Sequence, residues 1–126
     1  MNIGLIGIGT VGGGTYRVLK ENAAEISNKS GIEIKITHVA DKNLKLAKET
    51  VDKETIIEED AFSLIENSSI DTIIELIGGT GIALDIVRKA LENGKHVVTA
   101  NKALIAMHGE ELFKIANKKM FIDRIE

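Results

Sequence analysis

The 126 residues include no cysteine, no proline and no tryptophan. Without cysteine there is no disulfide frame, no thiol nucleophile and no thiolate metal site. The cytoplasm is therefore the expected compartment. One tyrosine and three phenylalanines are too few for a platform that stacks single-stranded nucleic acid. No apolar run approaches the roughly 20 residues of a membrane-spanning helix. No basic stretch followed by a long apolar core opens the chain, so no targeting segment is expected. The formal charge of −3 argues against a nucleic-acid partner and against a basic membrane-binding surface. His38, His96 and His108 are scattered without metal-ligand spacing, and no metal is expected.

What remains is an ordinary globular composition, 44% hydrophobic and 28% charged, long enough for one domain with a real core over residues 1–126. Strand and helix patterns alternate. Strands are expected at Asn2 to Ile6, Ile32 to Ala40, Thr55 to Ile57, Asp71 to Ile77 and His96 to Thr99, with a sixth starting near Met120. Helices are expected at Val11 to Glu25, Leu44 to Lys48, Asp60 to Glu66, Ile82 to Asn93 and Gly109 to Asn117, and Ser27 to Gly31 reads as a loop. This alternation predicts an α/β domain, a doubly wound parallel sheet of the Rossmann dinucleotide-binding type. Ligands of such sheets lie beyond the carboxyl ends of the strands, where the strand order reverses.

The first of those ends carries Gly7-Ile8-Gly9-Thr10-Val11-Gly12, directly behind the apolar run Ile3 to Ile6. A GxGxxG that closes a strand and opens a helix is a dinucleotide fingerprint. Gly7 allows the tight turn, Gly9 lets backbone approach a pyrophosphate, and Gly12 lets the helix pack close to the strand. The amides of the helix start, Thr10 and Val11 among them, then face the phosphates.

The second end is Asp41-Lys42. A carboxylate there accepts from adenine-ribose hydroxyls and repels a 2′-phosphate. Asp41 lies farther past Gly12 than the usual spacing of about 20 residues, and Lys42 could meet a phosphate, so NAD is favoured only slightly over NADP. The alternative for Asp41 is a solvated turn residue. The fourth strand ends in Glu75-Leu76-Ile77-Gly78-Gly79-Thr80-Gly81, where the glycines suggest close approach to a ligand. Glu75 sits in an apolar strand and needs a partner there, a backbone donor or a lysine. The fifth strand leads into Thr99-Ala100-Asn101-Lys102. An ammonium at Lys102 could stabilise negative charge developing on a substrate oxygen, although most lysines are simply solvated.

Three stretches together resemble homoserine dehydrogenase: Gly7 to Gly14, Glu75 to Gly79, and Ala90 to Ala106, the last spelling ALENGKHVVTANKALIA. The resemblance covers nearly the whole chain as that family's amino-terminal cofactor domain. It implies NAD(P)-dependent interconversion of L-aspartate 4-semialdehyde and L-homoserine, on the route to threonine, methionine and isoleucine. It implies that the glycine turn, with Gly7, Gly9, Thr10, Val11 and Gly12, binds the pyrophosphate. It implies that Gly78, Gly79, Thr80, Thr99 and Asn101 line the nicotinamide pocket, and that Lys102 is catalytic at the substrate oxygen. The expected contacts of Asp41 and Lys42 rest on their place after the second strand. Full-length members are usually homo-oligomers. The family often has Pro where this chain has Ile82. Its substrate domain is expected to be absent from this chain, which should bind cofactor but be catalytically incomplete. The alternatives are a stand-alone dinucleotide-binding or sensor module, and a different dehydrogenase with the same amino-terminal architecture.

Overall fold

The computed structural model describes residues 1–78, 81–118 and 123–125. Six strands, β1 (Asn2–Ile6), β2 (Lys35–Ala40), β3 (Ile56–Glu58), β4 (Thr72–Glu75), β5 (His96–Thr99) and β6 (Asp123–Ile125), form one sheet in the order β3-β2-β1-β4-β5-β6. Every neighbouring pair is parallel. The intervening helices are α1 (Thr10–Ser30), α2 (Leu44–Thr50), α3 (Ala61–Glu66), α4 (Gly81–Glu92) and α5 (Lys102–Lys118). The chain winds outward from β1 through β2 to β3, then crosses back to β4 and winds the other way. The order thus reverses between β1 and β4, which opens a crevice there.

Both faces of the sheet are apolar, as a parallel sheet covered on both sides requires. On one face Ile3, Leu5, Val39 and Ile74 pack with Tyr16 of α1 and Ala47 of α2. On the other, Ile6, Ile73 and Val97 pack with Leu64 of α3, Ile86 and Leu91 of α4, and Leu104 and Leu112 of α5. Adjacent residues such as Ile73 and Ile74 go to opposite layers, because side chains alternate along a strand. Each fully buried leucine or isoleucine contributes about 1.5–3 kcal/mol. Among the described residues, no helix is long and apolar enough to cross a membrane.

Several boundaries depart from the sequence expectation. Helix α1 continues through Ser27 to Ser30 instead of ending in a loop there, and closes at Gly31, which is left-handed at φ 75°. Once a helix is nucleated each added residue gains a hydrogen bond, and the polar Ser-Asn-Lys-Ser tail costs little. Strand β2 correspondingly begins at Lys35 and not at Ile32. Strand β4 stops at Glu75 because the next amide but one, that of Ile77, turns back to the Glu75 carboxylate at 2.7 Å. Helix α5 starts at Lys102, well before Gly109, because Asn101 caps it: Asn101 Oδ1 accepts from the Leu104 amide at 2.9 Å. The expected start of the sixth strand at Met120 lies outside the described residues.

Two polar groups brace the end of the sheet away from the crevice. Lys95 is buried, and its ammonium donates to the carbonyls of Asn67 and Ile70 at 2.8 and 2.7 Å. Burial pushes its pKa down, and the charge of Asp71 opposes that shift. His38 is held between Thr37 Oγ1 at 2.8 Å and the Asn67 side-chain nitrogen at 3.3 Å, a structural role.

Candidate dinucleotide-binding site

The turn that leaves β1 is built around two glycines. Gly7 has φ +97°, a conformation that L side chains rarely adopt. A methyl group on Gly12 would lie 1.8 Å from the Gly7 carbonyl oxygen, so α1 can approach the turn this closely only with hydrogen at that position. Gly9 precedes the helix, and a Cβ there would meet nothing within 4 Å. No side chain caps α1, and no acidic residue occupies its first turn. The helix therefore presents unsatisfied amides and the positive end of its dipole to the open side of Gly9. That is the chemistry an anionic diphosphate needs.

Asp41 ties this turn to the one after β2. Its Oδ2 accepts from the Ile8 amide at 2.7 Å and its Oδ1 from the Asn43 amide at 2.8 Å. Asn43 in turn caps α2 through the Leu46 amide at 3.1 Å. A carboxylate has about four acceptor positions, so Asp41 keeps capacity for ribose hydroxyls while holding the loop.

Between these turns and α3 lies a cleft of about 410 Å3, within the usual range for small-molecule pockets. Ile6 and Ala40 form its floor, with Gly7 and Gly9 on one side and Asp41 and Lys42 at the rim. Glu59, Asp60, Ala61 and Phe62 close it from the β3–α3 turn. Leu76, Ile77, Ile82 and Ile86 supply an apolar wall from the β4–α4 region. The apolar wall suits a flat aromatic base, and the polar edge carries the carboxylates of Asp41, Glu59 and Asp60 together with the Lys42 ammonium.

At the ends of β4 and β5 the side chains form a second, linked group. Glu75, 1% exposed, accepts from the Thr99 hydroxyl at 2.7 Å and from the Ile77 amide at 2.7 Å. Thr99 Oγ1 accepts from the Asn101 amide at 3.1 Å. Lys102 follows as the first residue of α5 and is exposed.

The cleft thus gathers Gly7, Gly9, Asp41 and Lys42. Thr10 and Val11 stand exposed in the first turn of α1, and Gly12 is buried behind them. Gly78 follows β4 with φ +86°, while Gly79 and Thr80 lie outside the described residues. Thr99, Asn101 and Lys102 are not among the residues lining the cleft; they sit at the neighbouring strand end. Sequence reasoning missed Glu59, Asp60, Ala61, Phe62 and Ile82 as cleft residues; Asp60, expected only as the start of a helix, caps α3 by accepting from the Phe62 amide at 2.9 Å. The signal was the carboxyl end of the third strand, as much a ligand-facing end as the others. Among the described residues, no group of three or more His, Asp or Glu could hold a metal ion.

Comparison with known proteins agrees with this geometry. The family described as "Homoserine dehydrogenase, NAD binding domain" matches residues 7–122. The chain belongs to this family. It is 50% identical over 119 residues to a homoserine dehydrogenase of Methylobacillus glycogenes, covering 94% of this chain and 29% of that protein. It is 46% identical over 126 residues to that of Neisseria gonorrhoeae, covering 100% of this chain and 29% of the relative. The crystal structure of a homoserine dehydrogenase from Thiobacillus denitrificans superposes with a TM-score of 0.93 at 41% identity, again over 100% of this chain and 29% of that one. The chain therefore spans about 29% of the length of these relatives and is a homoserine dehydrogenase NAD-binding domain with a Rossmann-type sheet.

Proposed function

We propose that this NAD-binding domain serves the reversible conversion of L-aspartate 4-semialdehyde to L-homoserine, and that on its own the chain binds a nicotinamide dinucleotide without completing that reaction. The observation that carries the reading is the turn in which Gly12 packs on Gly7 while the uncapped amides of α1 face an open space at Gly9. Thr10 and Val11, at the helix start, hold the diphosphate with those amides. Asp41, Glu59 and Asp60 face the adenine ribose and favour NAD over NADP by repelling a 2′-phosphate, with Lys42 as the opposing charge. Gly78, Gly79, Thr80, Thr99 and Asn101 serve the nicotinamide half. The bound dinucleotide supplies or accepts the hydride.

Lys102 is the residue assigned to the reacting oxygen. A lysine in the first turn of a helix opposes the helix dipole, so helix stability does not account for it, whereas a cation beside an oxygen that gains negative charge does. Catalysis needs both reactants held in register, and the substrate contacts are assigned to the part of the relatives that this chain does not span. A cytoplasmic enzyme that assembles as a homo-oligomer, with no nucleic-acid or membrane partner, completes the proposal. The test is fluorescence titration of the chain with NADH, alongside an absorbance assay with homoserine and NAD. Binding without turnover is expected. Absence of binding, or homoserine oxidation by the 126 residues alone, contradicts the proposal.

A further inference from the structure

Glu75 is a buried carboxylate at the end of an otherwise apolar strand, and the fingerprint of the glycine turn makes no use of it. Parallel pairing sets it opposite Thr99 in register. The Thr99 hydroxyl has one proton, and it goes to Glu75 Oε1 at 2.7 Å. The lone pairs of that hydroxyl are then free to accept the Asn101 amide at 3.1 Å. Asn101 passes the connection into α5, accepting the Leu104 amide on its side chain at 2.9 Å and the Ile105 amide on its carbonyl at 3.2 Å. The other carboxylate oxygen takes the Ile77 amide at 2.7 Å, just before Gly78. A single carboxylate therefore sets two turns at once, the exit of β4 and the start of α5.

Thr99 is the last residue of β5 and Ile77 lies past the end of β4, so the body of the sheet gains little from them. An apolar side chain would fill the same volume without the cost of burying a charge-bearing group. In a sheet of this order the adenosine half of a dinucleotide lies on the β2 side of the crevice and the other half over β4 and β5. We propose that Glu75 is a positioning residue for the nicotinamide half, acting through Thr99, Asn101 and the Ile77 amide without touching the ligand. This inference rests on the dinucleotide-binding reading above.

The test compares binding of NAD and of ADP-ribose, which lacks the nicotinamide, to the chain and to its E75Q, T99V and T99S variants. The amide of E75Q offers one acceptor oxygen to two donors, so one of the two turns loses its tether. T99V removes the hydroxyl at nearly equal volume, and T99S restores it. The expected result is ADP-ribose affinity preserved throughout, with NAD affinity reduced about tenfold in E75Q and T99V and recovered in T99S. T99V carries the test if E75Q does not fold. Equal losses for both ligands, or no loss for either, overturn the proposal. So does a parent chain that binds NAD no more tightly than ADP-ribose. Failure of the parent chain to bind either ligand instead overturns the dinucleotide-binding reading itself.

Discussion

Asp41 Oδ2 accepts the backbone amide of Ile8 at 2.7 Å, so the side chain proposed to read the ribose also clamps the glycine turn. These two roles make different predictions. A pure selector, once removed, would weaken NAD and relieve repulsion of NADP. A residue that also holds the turn costs affinity for both. Asp41→Ala is expected to lower NAD affinity by about tenfold or more and NADP affinity by less, so that the preference narrows without inverting. Calorimetric titration with both dinucleotides measures this. Unchanged NAD affinity would show that Asp41 is neither clamp nor selector.

Gly12→Ala is expected to damage fold and site together. The added methyl group would meet main-chain oxygen of Gly7 at 1.8 Å, and backbone cannot swing aside as a flexible side chain can. The turn and α1 must separate, at a cost of about 3 kcal/mol or more. Thermal denaturation should show a lower midpoint, and NADH titration no measurable binding. By contrast, Gly9→Ala meets nothing within 4 Å and should keep the parent's thermal stability while weakening binding.

Lys102 opens α5, where no acidic residue complements the dipole. Lys102→Glu should therefore stabilise the chain, by about 0.5 kcal/mol, while leaving ADP-ribose binding intact. In a full-length protein carrying this domain, the same substitution should remove homoserine oxidation. Urea denaturation reads the first effect. A destabilised variant would mean that Lys102 is held by contacts that matter to the fold.

Acid sensitivity should come partly from a cluster remote from the crevice. The hydrogen bond from Lys20, 2.7 Å away, lowers the Asp52 pKa to about 2, with help from Thr55 and against the effect of burial. A depressed carboxyl pKa contributes stability above its unfolded value near 3.8, and that contribution fades as pH falls toward 2. The Lys20 pKa is raised, chiefly by the same hydrogen bond, so its share is present below the unfolded value of 10.5 and is lost at higher pH. Both side chains are substantially exposed, and solvent screening keeps the pair to about 1 kcal/mol or less. Asp52→Asn should therefore flatten the fall in the urea midpoint between pH 4 and pH 2.5, windows set by the shift itself.

The sequence exposed the parts of this domain whose physics is local. The apolar run ahead of Gly7 marks β1, and the turn glycines mark the phosphate end, because their backbone requirements are written in residue identity. Helix ends were harder. Ser27 to Ser30 has turn composition, yet α1 runs through it because Gly31, with its left-handed backbone, supplies the stop. Gly109 reads as the first residue of the last helix but is buried within α5, where a Cβ would crowd Ile105 at 3.3 Å. Asn101, which caps the helix through the Leu104 amide, was the signal for the true start at Lys102. Long-range partners were not legible at all. Nothing in periodicity pairs Glu75 with Thr99, or sends the Lys95 ammonium to the carbonyls of Asn67 and Ile70, since these contacts depend on strand order and not on neighbours in sequence.

The central claim is that these residues form a working dinucleotide site. Calorimetric titration of the chain with NAD tests it most directly. The account predicts saturable binding at a single site, weaker binding of NADP, and loss of both in Gly12→Ala. Absence of binding by a folded parent chain to either dinucleotide would contradict it.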